Sequence, residues 1–278
     1  MSYKLGLYEK SMSNSLSLRE KLTETARAGY DYLEISIDES DEKLARLNLT
    51  RQETADLAHA CRDTNIPIKS MCLSGHRRYP LGSRNKDTRE KSLEIMGKAV
   101  ELAASLGIPI IQLAGYDVYY EKGDRDTENY FCQGLEKSVE MAAKEGIILA
   151  FETMETPFMD TVEKALNRID SYPSPYLQIY PDIGNITNAA LLYNQDPIED
   201  LKKGYGHIAA VHLKESKPGV YRELPYGRGH VNFKGMIKAS LEMGVRLFVA
   251  EFWYMGENNW REILINNKDF LEKCIRVC

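Results

Sequence analysis

Short apolar runs alternate with longer amphipathic stretches from one end of the chain to the other, and that alternation leaves few folds open. Strand-like runs lie at Lys4–Tyr8, Asp31–Ile37, Pro67–Ser74, Pro109–Ala114, Ile147–Met154, Leu177–Asp182, Ile208–Glu215 and Leu247–Trp253. Helical periodicity fills residues 18–29, 50–65, 86–107, 127–146, 160–170, 196–206 and 233–244, and a last helix is expected over 259–278. Gly29, Gly107, Gly146, Gly206 and Gly244 stand just before the next strand, where a helix C-cap calls for glycine. Eight such units, with no linker and no break in composition, specify an α/β chain folded as a single (β/α)8 barrel over residues 1–278. A doubly wound open sheet is the competing architecture. It expects a glycine-rich phosphate loop after the first strand, and "LYEKSMSNS" is not one.

Composition narrows the partners. A net charge of −5 argues against a nucleic-acid binder that relies on a basic surface. No stretch of 18 apolar residues occurs and "MSYKLGLYEK" has no apolar leader, so neither membrane spanning nor secretion is expected. Cys61, Cys72, Cys132, Cys274 and Cys278 are odd in number and show no C-x-x-C spacing, which suits a reduced, cytoplasmic compartment.

Four of the apolar strands share an oddity. "IILAFETM" carries Glu152, "LQIYPDIG" Asp182, "HIAAVHLKE" His212 and "LFVAEFW" Glu251, each near the C-terminal end of its strand. Barrel active sites are built at that end. A carboxylate beside an apolar core is unstable unless opposite charge meets it. One acid at a strand end is commonly a helix N-cap or an ion-pair partner. Four metal-binding side chains at matching depth on strands five to eight point instead to one divalent cation, Zn²⁺, Mn²⁺ or Co²⁺, with Mg²⁺ less suited to imidazole. Of the other histidines, His59 falls within a helix and His207 begins strand seven, both in structural positions, whereas His76 and His230 fall in top-face loops.

Those loops are basic although the chain is acidic. "SMCLSGHRRYPLGS" after strand three holds His76, Arg77 and Arg78, and Lys214, Lys217, Arg222 and Arg228 follow strand seven. The asymmetry suits an anionic small molecule such as a phosphate ester.

These segments resemble the sugar-phosphate epimerases of the xylose isomerase-like TIM barrel superfamily. The resemblance is strongest to the L-ribulose/L-xylulose 5-phosphate 3-epimerases of L-ascorbate utilisation. It is carried by "LGLYEKS", "SMCLSGHRRYPLGS", "LEIMGKAVELAASLGIPIIQLAGYDVYY", "YPDIGN", "GHIAAVHLKESKPGVYRELPYGRG" and "AEFW", in order over nearly the whole chain. The resemblance implies that Glu152, Asp182, His212 and Glu251 ligate one divalent metal ion, that Glu152 and Glu251 are the acid/base pair, and that Asn185 contacts the sugar. His76, Arg77, Arg78, Lys214, Lys217 and Arg228 are the candidates for holding the phosphate of a ketopentose phosphate. The resemblance further implies a homodimer. Two departures from the pattern that the resemblance implies stand out: Glu215 stands where an aspartate is expected, and Arg228 where an acid often is.

Two glutamates suit the chemistry, because inverting a carbon beside a ketone needs one group to remove a proton and another to return it on the opposite face. An aldose–ketose isomerase on the same scaffold would use the same ligands. A multi-zinc nuclease would want more than the five histidines present, and a sugar-phosphate sensor would not need two flanking acids.

Overall fold

The computed structural model describes residues 2–276. Eight parallel strands run β1 Lys4–Tyr8, β2 Tyr32–Ser36, β3 Ile68–Leu73, β4 Ile110–Ala114, β5 Ile148–Glu152, β6 Leu177–Tyr180, β7 Val211–Leu213 and β8 Leu247–Ala250. Ten α-helices accompany them: α1 Leu18–Arg27, α2 Asp41–Ala45, α3 Arg51–Thr64, α4 Lys86–Leu106, α5 Arg125–Lys144, α6 Val162–Ser171, α7 Ile183–Tyr193, α8 Pro197–Lys203, α9 Phe233–Glu242 and α10 Trp260–Arg276. Residues 277 and 278 of the expected last helix, with Cys278, lie outside the described residues.

The strand order is β6-β5-β4-β3-β2-β1-β8-β7. The two ends of that sheet meet through isolated parallel bridges, Ile179↔Ile208 and Asp182↔His212, so the barrel closes with one irregular seam. The long apolar face of the sheet packs under the helices in a continuous core. A second cluster of Tyr8, Tyr32, Cys72, Ile110, Ala150, Tyr180, Ala210 and Val249 fills the interior. Gly6 makes room for it: a Cβ there would lie 2.3 Å from the Tyr32 ring. The glycines expected as caps all take positive φ, as at Gly107 (69°) and Gly146 (70°), which L side chains rarely adopt.

Two features depart from the sequence reading. Strand seven is three residues long where eight were expected, because Ile208 bridges β6 before the regular ladder begins. An unexpected helix, α7, starts immediately after β6. Its first eight residues are buried, so "IGNITNAALLY" shows no amphipathic period by which to recognise it.

Candidate metal centre and active site

β5, β6, β7 and β8 deliver Glu152, Asp182, His212 and Glu251 to one point at the C-terminal mouth. One ligand atom from each lies within 4.8 Å of the others, and all four residues are buried. His212 stands in the middle, with Nδ1 2.6 Å from Glu251 Oε2 and 3.7 Å from Glu152 Oε1. Asp182 also caps α7, Oδ1 accepting from the backbone N–H groups of Gly184 (2.8 Å) and Asn185 (3.0 Å). The helix-cap and ligand readings of this acid therefore coexist, one on each oxygen.

The donor set fits a divalent cation. Asp182 Oδ2 and Glu251 Oε2 are buried and accept no hydrogen bond. Lys214 Nζ contacts the aspartate oxygen, and His212 Nδ1 lies 2.6 Å from the glutamate oxygen. Burial pushes the Asp182 carboxyl up to about 7 against the pull of Lys214, with Glu251 and Glu152 adding to the rise. Burial opposes the charge on Glu251 too, but His212 and Lys214 outweigh it and hold the group at about 2. Burial disfavours a charged His212, yet Glu34 and Glu251 raise it well above its ordinary value. A histidine and three acids converging at one point form a group that could hold a hard or borderline divalent ion.

Above this cluster lies a cavity of about 200 Å³ lined by Tyr8, Lys10, Cys72, Ser74, Arg77, Glu152, Met154, Glu155, Asn185, Lys214, Arg222, Glu223, Glu251 and Trp253. Among the phosphate candidates, Arg77 and Lys214 reach it. Arg77 lies 4.5 Å over the Tyr119 ring; its Nε is buried without a hydrogen bond, and its nearest acid, Glu39, is 4.0 Å away. Lys214 is largely engaged already, by Asp182 and by the Asn185 side chain at 2.8 Å. Asn185 lines the cavity with its amide spent on Lys214 and on the Thr153 carbonyl.

The structure places four other candidates elsewhere. His76 turns into the core against α4, its Nε2 3.1 Å from the Ser92 carbonyl, and burial lowers its pKa to about 4. Arg78 points outward to Asp41 at 2.6 Å. Lys217 and Arg228 are exposed on the loop after β7, outside the cavity wall. The four consecutive residues Ser74–Arg77 form a 3₁₀ turn, in which neighbours point about 120° apart, so a His-Arg-Arg run cannot present all its side chains to one cavity. Glu215, the other departure, braces that same loop from below by accepting from Gly227 N (2.9 Å) and Val231 N (3.2 Å).

Three residues were missed in the sequence. Lys10 lines the cavity and pairs with Asp38 at 2.6 Å. Trp253 walls it beside Tyr8, ring centroids 6.4 Å apart. Glu34, in the middle of β2, contacts His212 Nε2 at 2.6 Å. Its signal was an acid inside the apolar strand "YLEIS", the same oddity that marked the other four.

The sequence pattern of the xylose isomerase-like TIM barrel matches residues 22–274. L-Ribulose-5-phosphate 3-epimerase UlaE from Shigella boydii serotype 18 is 41% identical over 250 residues, 90% of this chain and 87% of that protein. UlaE from Escherichia coli K12 is also 41% identical, with the same coverage of both chains. Among solved structures, D-allulose 3-epimerase from Methylomonas sp. in complex with D-allulose superposes with a TM-score of 0.78 at 17% identity, covering 98% of this chain and 99% of that one. Among the described residues no helix is long and apolar enough to cross a membrane. The chain belongs to the xylose isomerase-like TIM barrel family and, within it, to the family of the L-ribulose-5-phosphate 3-epimerases UlaE.

Proposed function

We propose that this protein is a metal-dependent 3-epimerase that interconverts L-ribulose 5-phosphate and L-xylulose 5-phosphate. The observation that carries the reading is the convergence of Glu152, Asp182, His212 and Glu251 within 4.8 Å, with both glutamates also lining the cavity. The extent of identity to UlaE supports the choice of sugar.

Glu152 and Glu251 project from strands on either side of the β6–β7 seam and meet the cavity from two directions. One removes the proton at C3 of the ketose and the other returns it on the opposite face. Each has two oxygens, so one can serve as ligand and the other as base. A divalent ion, zinc or manganese by the donor set, supplies positive charge against the charge that develops on the substrate oxygens during proton removal. Asp182 and His212 hold position without exchanging protons. Arg77 is the cavity cation that best suits the phosphate, because its ion-pair partner Glu39 is 4.0 Å away, whereas Lys214, Lys10 and Arg222 are held by Asp182, Asp38 and Glu155. On the same reading the chain is one catalytic domain over residues 1–278, cytoplasmic and homodimeric, with a ketopentose phosphate as its small-molecule partner.

The test is turnover of pentulose 5-phosphates with Mn²⁺ or Zn²⁺ in D₂O, followed by NMR. The expected product is the C3 epimer carrying deuterium at C3. Deuterium at C1 or C2, or full turnover without solvent label, overturns the reading in favour of an aldose–ketose isomerase.

A further inference from the structure

We infer that Glu34 is a positioning residue of the metal centre, which fixes the His212 ring so that Nδ1 faces the three acids. The inference rests on the metal reading above and deepens it. Glu34 lies wholly buried at the middle of β2, below the cavity and outside its wall. Its two oxygens have separate tasks. Oε1 accepts from His212 Nε2 at 2.6 Å. Oε2 accepts from the hydroxyls of Ser70 (2.6 Å) and Tyr180 (2.8 Å).

The carboxylate is therefore pinned from β3 and β6 and in turn pins a side chain on β7. Tyr180 also packs edge-on against the imidazole, centroids 4.8 Å apart and planes at 68°, which blocks rotation of the ring. With Nε2 held by Glu34, Nδ1 is the nitrogen left facing Glu251 and Glu152, with the Gln112 amide nitrogen 3.2 Å away beside them. A carboxylate on the far nitrogen sets tautomer and orientation and makes the near nitrogen a better donor. An ion pair serving the core alone would not need its second oxygen braced by two hydroxyls from different strands. It would also have no reason to engage the nitrogen that leaves Nδ1 facing the acids.

Zinc affinity of the full-length protein, measured by chelator competition, tests this alongside the melting temperature in EDTA. Glu34→Gln keeps an oxygen for Nε2–H but loses the charge, and should bind zinc about 10- to 100-fold more weakly than wild type. Glu34→Asp, which restores the charge, should recover part of that loss. Tyr180→Phe preserves the ring contact and frees one side of the carboxylate, so its loss should lie near the lower end, about 10-fold. This third variant keeps the test open should Glu34→Gln not fold. A purely structural role would lower the melting temperature in EDTA while leaving the affinity of folded protein unchanged. Wild-type zinc affinity in the folded variants overturns the inference. A wild type that takes up no zinc overturns the metal reading itself and this one with it.

Discussion

Removing the charge of Glu9 should destabilise the barrel by several kcal/mol, and the deficit should depend on pH in a stated direction. Glu9 follows β1 and is fully buried, as is Lys21 of α1. Its carboxylate meets Arg46 at 2.9 and 2.7 Å, is in direct contact with Lys43 Nζ, and lies 3.8 Å from Lys21 Nζ. Burial works against the charge on Glu9, but Arg46, Lys21 and Lys43 together hold its pKa below the ordinary value. Glu9→Gln leaves three cations facing a neutral amide. Breaking a buried pair by removing one partner costs about 3–5 kcal/mol. An unfolding entropy of about 2.1 cal/mol/K per residue converts that to a fall in melting temperature of about 5–9 °C for a chain of this length. Burial also pushes Lys21 down to about 8, with Glu9 opposing and Lys43 and Arg46 assisting. Its folded pKa thus lies below the ordinary 10.5, so its buried charge is penalised below pH 8 and relieved between about 8 and 10.5. Only below pH 8 is Lys21 charged enough for Glu9 to stabilise it. The difference between wild type and Glu9→Gln should therefore shrink as pH rises from 6.5 to 9.5. Thermal melts by circular dichroism in EDTA at both pH values, with Glu9→Gln/Lys21→Met as partial rescue, provide the assay. A shift under about 2 °C at pH 6.5, or a deficit that grows with pH, would refute the reasoning.

His212→Ala should lose bound metal by elemental analysis and lose the stabilisation that metal gives the wild type, because three acids remain without their fourth donor. Glu152→Gln and Glu251→Gln should each abolish net epimerisation while differing in which pentulose 5-phosphate they still label in D₂O, with metal occupancy checked in both. Arg77→Ala should reduce kcat/KM for the phosphorylated ketose by the equivalent of about 2–3 kcal/mol and leave the residual turnover of the unphosphorylated ketose little changed. Arg228→Ala, on the exposed loop, should match wild type on both substrates.

The barrel and its four-residue cluster were legible in the sequence because both are written in strand periodicity. An acid or histidine at the end of an apolar run stands out against its neighbours, and strand number then fixes where it must sit. What escaped detection was decided by orientation. His76, Arg77 and Arg78 are adjacent in sequence, but one turn of 3₁₀ helix sends the first into the core, the second to the cavity and the third to solvent. Glu34 has the same polar-in-apolar signature as Glu152, yet it sits two residues before the end of its strand, where an acid has no place in a search confined to strand tips. α7 was hidden because its buried first turns erase the amphipathic contrast that betrays other helices, while the sequence around its cap, Asp182, reads equally well as a strand end carrying a ligand.

The irregular closure between β6 and β7 couples the sheet to its chemistry. One of the two bridges at that seam joins Asp182 to His212, so two of the four candidate cation donors stand on opposite lips of the least regular joint in the barrel. Anything that draws these donors together acts as a clasp on the sheet, and anything that parts the lips scatters the donors. Hydrogen exchange at Ile179, Ala209 and His212, whose amides cross the joint, would then report ion occupancy from the backbone alone.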